Sequence, residues 1–339
     1  MALPSHSSTP AGADRYWVAT AGGWLLATPL MLACFAAICS IAIQNFDFAI
    51  NNNLFHIAIV LRLYDLPQFA NDLFMQSLRS FASPVYLLMS ALASEENVAG
   101  WFFAFHVATR VLTFYALILV MLECGVKRDA RLIIAVAVLV VAKAIYGTSP
   151  VGGDGMIMRY FTHSELAQAF ALFGIVFLLR DCLLPASLIG GVAFDVNAFV
   201  GIWMLAPIGI TATASLIARD PSHGFMDRAI RVILAGLLFG VLALPVAIWL
   251  RPIIADQAVD FDYPAYLRLY YGKHFFLDAS SSWSIIQLVA ATIAGAAAIS
   301  RLRSSPAHWM VFFGLLAVFV GGAVVDRFTH SRLILKSMA

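Results

Sequence analysis

Long apolar runs separated by short polar connections dominate the chain. They are Val18 to Gln44, Val98 to Leu122, Leu132 to Tyr146, Leu166 to Leu179, Leu183 to Phe194, Ala198 to Ile217, Ile230 to Leu250, Ile285 to Ser300 and Trp309 to Val325. A helix needs about 20 apolar residues to cross about 30 Å of hydrocarbon, and in lipid a spanning segment must satisfy its backbone polar groups internally. The pattern therefore predicts an all-α polytopic membrane protein with about nine transmembrane helices. The first run is too long for a signal-peptide core and no small-residue cleavage site follows it, so it reads as an uncleaved signal anchor. The expected division is a cytoplasmic tail over residues 1–17, one transmembrane domain over 18–325 and a C-terminal tail over 326–339.

One stretch departs from the pattern. Asp181 to Ala218 is read as too short for two full crossings and a turn, because a helix from Asp181 to Phe194 at 1.5 Å per residue reaches only about 21 Å. Its hairpin tip, Asp195-Val196-Asn197, is expected to end below the outer surface, lining a polar cavity or buried in protein. The competing reading is an ordinary helix pair, distorted by Pro185, Gly190 and Gly191, whose tip reaches water. No repeat of 20 to 50 residues appears.

Charge orients the chain. Lys127, Arg128, Arg131, Arg180, Arg219, Arg228, Arg231, Arg301 and Arg303 occupy short connections on the side of Arg15, which the positive-inside rule makes cytoplasmic. Asp47, Asp65, Asp72, Glu95, Glu96, Asp154, Asp256, Asp260, Asp262 and Asp278 fall on the other side, all but Asp154 in two long loops over residues 45–97 and 251–283. Composition agrees: 62% of residues are hydrophobic and 12% charged, against about 45–50% and 25% in soluble domains, which excludes a large water-soluble domain. A net charge of +2 without a basic run gives no support to a nucleic-acid partner. The four cysteines form no CxxC pair, so neither a zinc site nor a disulfide framework is read from them.

The first outer loop carries the chemistry. Leu54, Ile57, Ala58 and Leu61 recur at helical spacing beside Asn51, Asn52, Asn53, His56 and Arg62, the pattern of a helix lying in the membrane interface. An acidic turn, Tyr64 to Phe74, follows, and then a second apolar stretch from Phe81 to Leu92. One transmembrane helix followed by a long outer loop of interfacial helices with an essential aspartate resembles the GT-C superfamily of membrane glycosyltransferases, and within it uncharacterised bacterial multi-pass members. The stretch Asp65-Leu66-Pro67-Gln68-Phe69-Ala70-Asn71-Asp72-Leu73-Phe74 is similar to their Asp-Pro-x-x-Phe-x-x-Asp-x-Phe. Gly190 to Gly201 is similar to a segment that often contains Asn-x-His-Pro; this chain has Asp195 and Asn197 there and lacks the histidine and proline. The likeness runs from Trp17 to Ala218.

The resemblance implies sugar transfer from a polyprenyl-phosphate donor on the periplasmic face of a bacterial inner membrane. Asp72 would be the general base, with Asp47, in Phe46-Asp47-Phe48, as a second carboxylate; a helix cap is the structural alternative for Asp72. Candidates for the donor phosphate are Arg159 and His163, and Arg268, Lys273 and His274 in the second loop, since guanidinium geometry suits phosphate oxygens. Each could instead anchor to headgroups. Arg110, one turn from His106 within an apolar helix, needs a cavity or a partner, and Asp195 is the expected one; with Asn197 they form a predicted polar cavity. Asp47 and Asp72 could share a divalent metal. Partners would be the donor lipid and membrane lipids. Two other readings compete: a lipid or solute transporter, and a noncatalytic accessory subunit that works beside a membrane-protein partner.

Overall fold

The computed structural model describes residues 13–81, 83–142, 155–217, 224–255, 262, 265–266, 268–269, 281–301 and 305–329. Helices α1 (Ala13–Gln44), α2 (Asn53–Val60), α3 (Leu73–Ser77), α4 (Pro84–Leu92), α5 (Val98–Glu123) and α6 (Ala130–Val141) come first in the chain. They are followed by α7 (His163–Leu179), α8 (Leu183–Val196), α9 (Ala198–Gly201), α10 (Leu205–Ile217), α11 (Phe225–Ala255), α12 (Ser282–Arg301) and α13 (Pro306–Thr329). The fold is all-helical. Among the described residues four helical segments are long and apolar enough to cross a membrane: Val98–Glu123, Ala198–Ile217, Phe225–Arg251 and Ser282–Arg301. Shorter apolar helices cover Pro29–Gln44, Ala130–Val141, His163–Leu179, Leu183–Val196 and Pro306–Val318. These segments mark the chain as a membrane protein.

Caps written in the sequence start several helices. Asp129 accepts the Arg131 N–H at 2.9 Å to open α6, and Thr162 accepts the Glu165 N–H at 3.2 Å to open α7. Each satisfies one of the N–H groups that a helix start leaves without a partner. The bundle forms around α7 and α8, which pack on each other, with α5 against α7, α1 against α5, α11 against α8 and α13 against α10. Gly191 lets α8 and α11 approach closely, since a Cβ there would stand 2.9 Å from the Phe239 carbonyl oxygen. Such small-residue contacts stand in for the hydrophobic drive that lipid does not supply between helices.

The hairpin from Asp181 to Ala218 is longer than its residue count suggests. The chain reverses at the single residue Asn197, whose carboxamide oxygen accepts the N–H groups of Phe199 and Val200 at 2.9 and 3.3 Å. No residues are spent on a loop, so the returning segment Ala198–Ile217 reaches spanning length and only the α8 limb is short. The tip does not reach water as a free turn: Asn197 is 6% exposed, and the Ser83 hydroxyl, just before α4, donates to the Val196 carbonyl at 3.0 Å.

The first loop covers one end of the bundle and buries polar and apolar side chains together. On α2 the polar Asn53 and His56 are buried while Leu54 is 63% exposed. Leu73, Phe74, Leu87 and Leu88 also face outward on α3 and α4. Polar side chains point inward because partners wait there, beside buried apolar ones such as Ile59, Val60, Met75 and Met89, and the remaining apolar side chains point outward as lipid-facing residues do. At the opposite end Arg180 pairs with Glu123 at 2.6 Å and the His308 Nε2 lies 3.0 Å from the Glu123 carbonyl oxygen, tying the ends of α5 and α7 to the start of α13.

Candidate functional site

Two polar clusters meet where the first loop sits on the bundle. In the first, Asn197 reaches from the α8–α9 corner to the start of α7, its Nδ2 donating to Ser164 Oγ at 2.8 Å and lying 3.0 Å from His163 Nε2. Because its Oδ1 already accepts two backbone N–H groups, the amide orientation is fixed and Nδ2 must donate. His163 Nε2 is therefore the acceptor, and the ring proton sits on Nδ1, 3.3 Å from the Tyr86 hydroxyl. Tyr86 in turn stacks on His56, with ring centroids 4.5 Å apart, and Asn53 Nδ2 donates to the Phe161 carbonyl at 2.9 Å. This chain of contacts links α2, α4, α7 and α9.

Burial governs the protonation of its outer members. Desolvation, reinforced by neighbouring His163, holds His56 well below its ordinary value. Desolvation likewise drives the Tyr86 hydroxyl well above its ordinary value, against the opposing pull of the His163 N–H. Both rings are neutral at physiological pH. They position the loop without adding charge.

The second cluster is built on Arg110. Its Nε lies 3.3 Å from Glu165 Oε1, and both side chains are fully buried. Further contacts go to Ser40 Oγ, the Met158 carbonyl, Gln44 Oε1 and His106 Nε2. The carboxylate expected opposite Arg110 is thus supplied by Glu165, not by Asp195. The reason lies in the helix register: the first turn of α7 passes beside the middle of α5, whereas Asp195 lies on α8, which packs on α7 and α11. Asp195 is half-buried, and its Oδ1 has no hydrogen-bond partner.

One turn beyond Arg110's partners, the exit of α1 meets the strand of chain leading into α7. Arg159 pairs with Asp47 at 3.3 Å, with side chains 61% and 31% exposed, and the Asp47 N–H donates to the Arg159 carbonyl at 2.8 Å. A carboxylate and a guanidinium are thereby presented together at an accessible edge. Asp72 stands elsewhere in the loop, exposed, as the N-cap of α3, with Oδ1 accepting the Met75 N–H at 3.0 Å. Neighbouring Asp65 is held by Arg62 at 3.1 Å and Arg79 at 2.8 Å, which fixes the acidic turn. Arg268 is exposed; Lys273 and His274 lie outside the described residues. Among the described residues no three His, Cys, Asp or Glu side chains gather where a metal could sit.

Sequence reasoning missed Glu165, Ser40 and Gln44, and gave His56 and Tyr86 no role. A signal for Glu165 was present. Thr162-His163-Ser164-Glu165 has capping-box spacing, and an acidic residue heading one apolar run beside an arginine inside another asks for a pair. Comparison with known protein families, with curated proteins and with solved structures gives no match for this chain.

Proposed function

We propose that the protein is a GT-C-type glycosyltransferase of a bacterial inner membrane, with the nine apolar helices all crossing. It transfers a sugar from a polyprenyl-phosphate donor to an acceptor on the periplasmic face. The observation that carries this reading is the Asp47–Arg159 pair, a base and a phosphate-binding group tied by one backbone hydrogen bond and left accessible at the mouth of α1. In the reaction the acceptor oxygen attacks the anomeric carbon, its proton passes to a carboxylate, and the bond from that carbon to the phosphate oxygen breaks. Arg159 exchanges Asp47 for the departing phosphate oxygens, which frees the Asp47 carboxylate to take the proton. Asp47 is preferred to Asp72 as the base because the Asp72 carboxylate already caps α3.

The test is sugar transfer by the full chain in proteoliposomes containing polyprenyl-phosphate-linked sugars, followed through release of polyprenyl phosphate. Asp47→Asn should lower turnover by about 10² to 10⁴-fold, the usual worth of a positioned base. Arg159→Lys should retain more activity than Arg159→Ala, because it keeps the charge and loses the fork. Accumulation of intact sugar or lipid across the membrane without transfer would replace this reading with transport.

A further inference from the structure

One buried guanidinium holds both chain segments that present the Asp47–Arg159 pair. Arg110 is fully buried, and its three nitrogens turn to different elements. Nε meets Glu165 on α7 at 3.3 Å. Nη1 donates to Ser40 and Gln44 in the last turns of α1, the latter at 3.4 Å. Nη2 donates to the Met158 carbonyl and to His106 Nε2, the latter at 3.3 Å. Gln44 ends α1 three residues before Asp47, and Met158 immediately precedes Arg159. Because the guanidinium is planar and rigid, these contacts fix the exit of α1 against the segment that enters α7. His106 adds a second hold on the same exit, its ring centroid lying 5.0 Å from that of Phe46.

Such a hold is needed there. An ion pair as exposed as Asp47–Arg159 is weak, so the two side chains do not keep their own segments in place. The backbone at the exit of α1 is also strained: Asn45 and Ala49, on either side of Asp47, have φ of 65° and 60°. Asparagine tolerates that left-handed region, and alanine disfavours it. A backbone of this kind persists only where surrounding contacts over-determine it. The hydrogen bond from the Asp47 N–H to the Arg159 carbonyl, 2.8 Å, is one such contact, and Arg110 and His106 supply the buried ones.

We propose that Arg110 is a positioning residue for this site: it sets the separation between the Asp47 carboxylate and the Arg159 guanidinium, and maintains it while Arg159 leaves Asp47 for the departing phosphate. Being fully buried, it acts through Ser40, Gln44 and the Met158 carbonyl, without touching the donor. The part given to the phosphate rests on the transfer reading above, whereas the positional claim is measured without any reaction.

Two measurements on the full chain in proteoliposomes test it. The first is cross-linking of Asp47→Cys, Arg159→Cys protein by a short bifunctional methanethiosulfonate, with the link between positions 47 and 159 located by peptide mass spectrometry. Ser40→Ala with Gln44→Met removes the α1 side of the hold and leaves the Arg110–Glu165 pair in place. Well below the variant's unfolding temperature, it should slow that cross-link by about fivefold or more, since the two positions no longer share one fixed geometry. The second measurement is sugar transfer with Asp47 and Arg159 intact. There the same two substitutions should lower kcat by about 10- to 10²-fold, as small misplacements of reacting groups do. The donor KM should stay within about twofold, because Arg159 still follows the phosphate. A general loss of stability would not split kcat from KM in this way. If the paired substitutions prevent folding, Gln44→Met alone and Arg110→Lys, which keeps the charge and loses the fork, are measured in the same way. Cross-linking at the parental rate in the folded variants overturns the proposal, as does a parental kcat in variants of an active chain. Slowed cross-linking in a chain whose parent transfers no sugar keeps Arg110 as the organiser of the pair and rejects the transfer reading alone.

Discussion

Arg110 and Glu165 form an ion pair with both side chains fully buried, Nε to Oε1 3.3 Å, that joins the middle of α5 to the first turn of α7. Removing one partner of such a pair leaves an uncompensated charge and costs about 3–5 kcal/mol. Glu165→Gln should therefore lower stability by roughly that amount in detergent unfolding. Glu165→Asp keeps the charge and should lose less. Equal stability of Glu165→Gln and the parent would show that Ser40, Gln44 and the Met158 carbonyl satisfy Arg110 by themselves.

Asn197 serves two elements at once, capping α9 and donating to His163 and Ser164. Asn197→Asp preserves the cap and replaces the donor with an acceptor facing the unprotonated His163 Nε2. It should cost more than the few tenths of a kcal/mol expected of a cap exchange, about 1–3 kcal/mol for the lost donor. Asn197→Ala loses both roles and should be worse. Chemical denaturation of the three proteins gives the order, and a silent Asn197→Asp would contradict the tautomer assigned to His163.

Asp72 separates structure from chemistry on one conservative change. As the cap of α3 it tolerates Asn nearly without loss, whereas Asp72→Ala costs about 1 kcal/mol. With Asp47 as the base, sugar transfer by Asp72→Asn stays near the parental rate. A fall of about 10² to 10⁴-fold with unchanged thermal stability would move the base to Asp72.

Gly201 has an ordinary helical backbone, φ −65°, yet a Cβ there would collide with the backbone and side chain of Phe194. Gly201→Ala must therefore pry apart the α8–α9 corner, and a loss of about 3 kcal/mol or more is expected, the upper end for overpacking. Gly209, on the same returning segment, has nothing within 4 Å of its added Cβ. Gly209→Ala should gain about 0.5–1 kcal/mol from backbone entropy. Thermal unfolding of both should show opposite signs.

His56 predicts a pH dependence. Its folded-state value lies below the unfolded value of about 6.5, so between the two the unfolded chain binds more protons. Stability is complete above about pH 6.5 and is lost as pH falls through that range. His56→Phe removes the titration, and the difference between its unfolding temperature and that of the parent should move in the variant's favour from pH 7 to pH 5. Parallel curves would mean that His56 takes up its proton as readily in the fold as in the unfolded chain.

The helices were legible in the sequence because lipid imposes one requirement on every spanning segment, and apolar length records it. The turn at Asn197 was less so: counting residues assumes a loop, and an Asx cap reverses the chain in one position. The buried side of α2 was only partly legible for a related reason. Of the apolar stripe Leu54, Ile57, Ala58 and Leu61, Ala58 is buried and Leu54 is exposed, and Asn53 and His56 join the buried side because they have partners at Phe161 and Tyr86 that no local pattern contains. The candidate site divides along the same line. Asp47 and Arg159 were each recognisable by type, while their pairing depends on how the chain before α7 returns to the exit of α1.

The inward-facing polar side of the first loop sets an order of biosynthesis. Asn53 finds its acceptor 108 residues downstream at Phe161, and Ser83 finds its own 113 residues downstream at Val196. At about 5–20 residues per second, a ribosome needs roughly 5 to 20 seconds to deliver those partners after the loop itself has emerged. Until then α2 and α4 have an incomplete template and must wait at the membrane surface with Asn53, His56 and Ser83 hydrated. The loop is therefore among the first parts of this protein to be made and among the last to mature, and an arrested nascent chain ending before Phe161 should leave it open to protease.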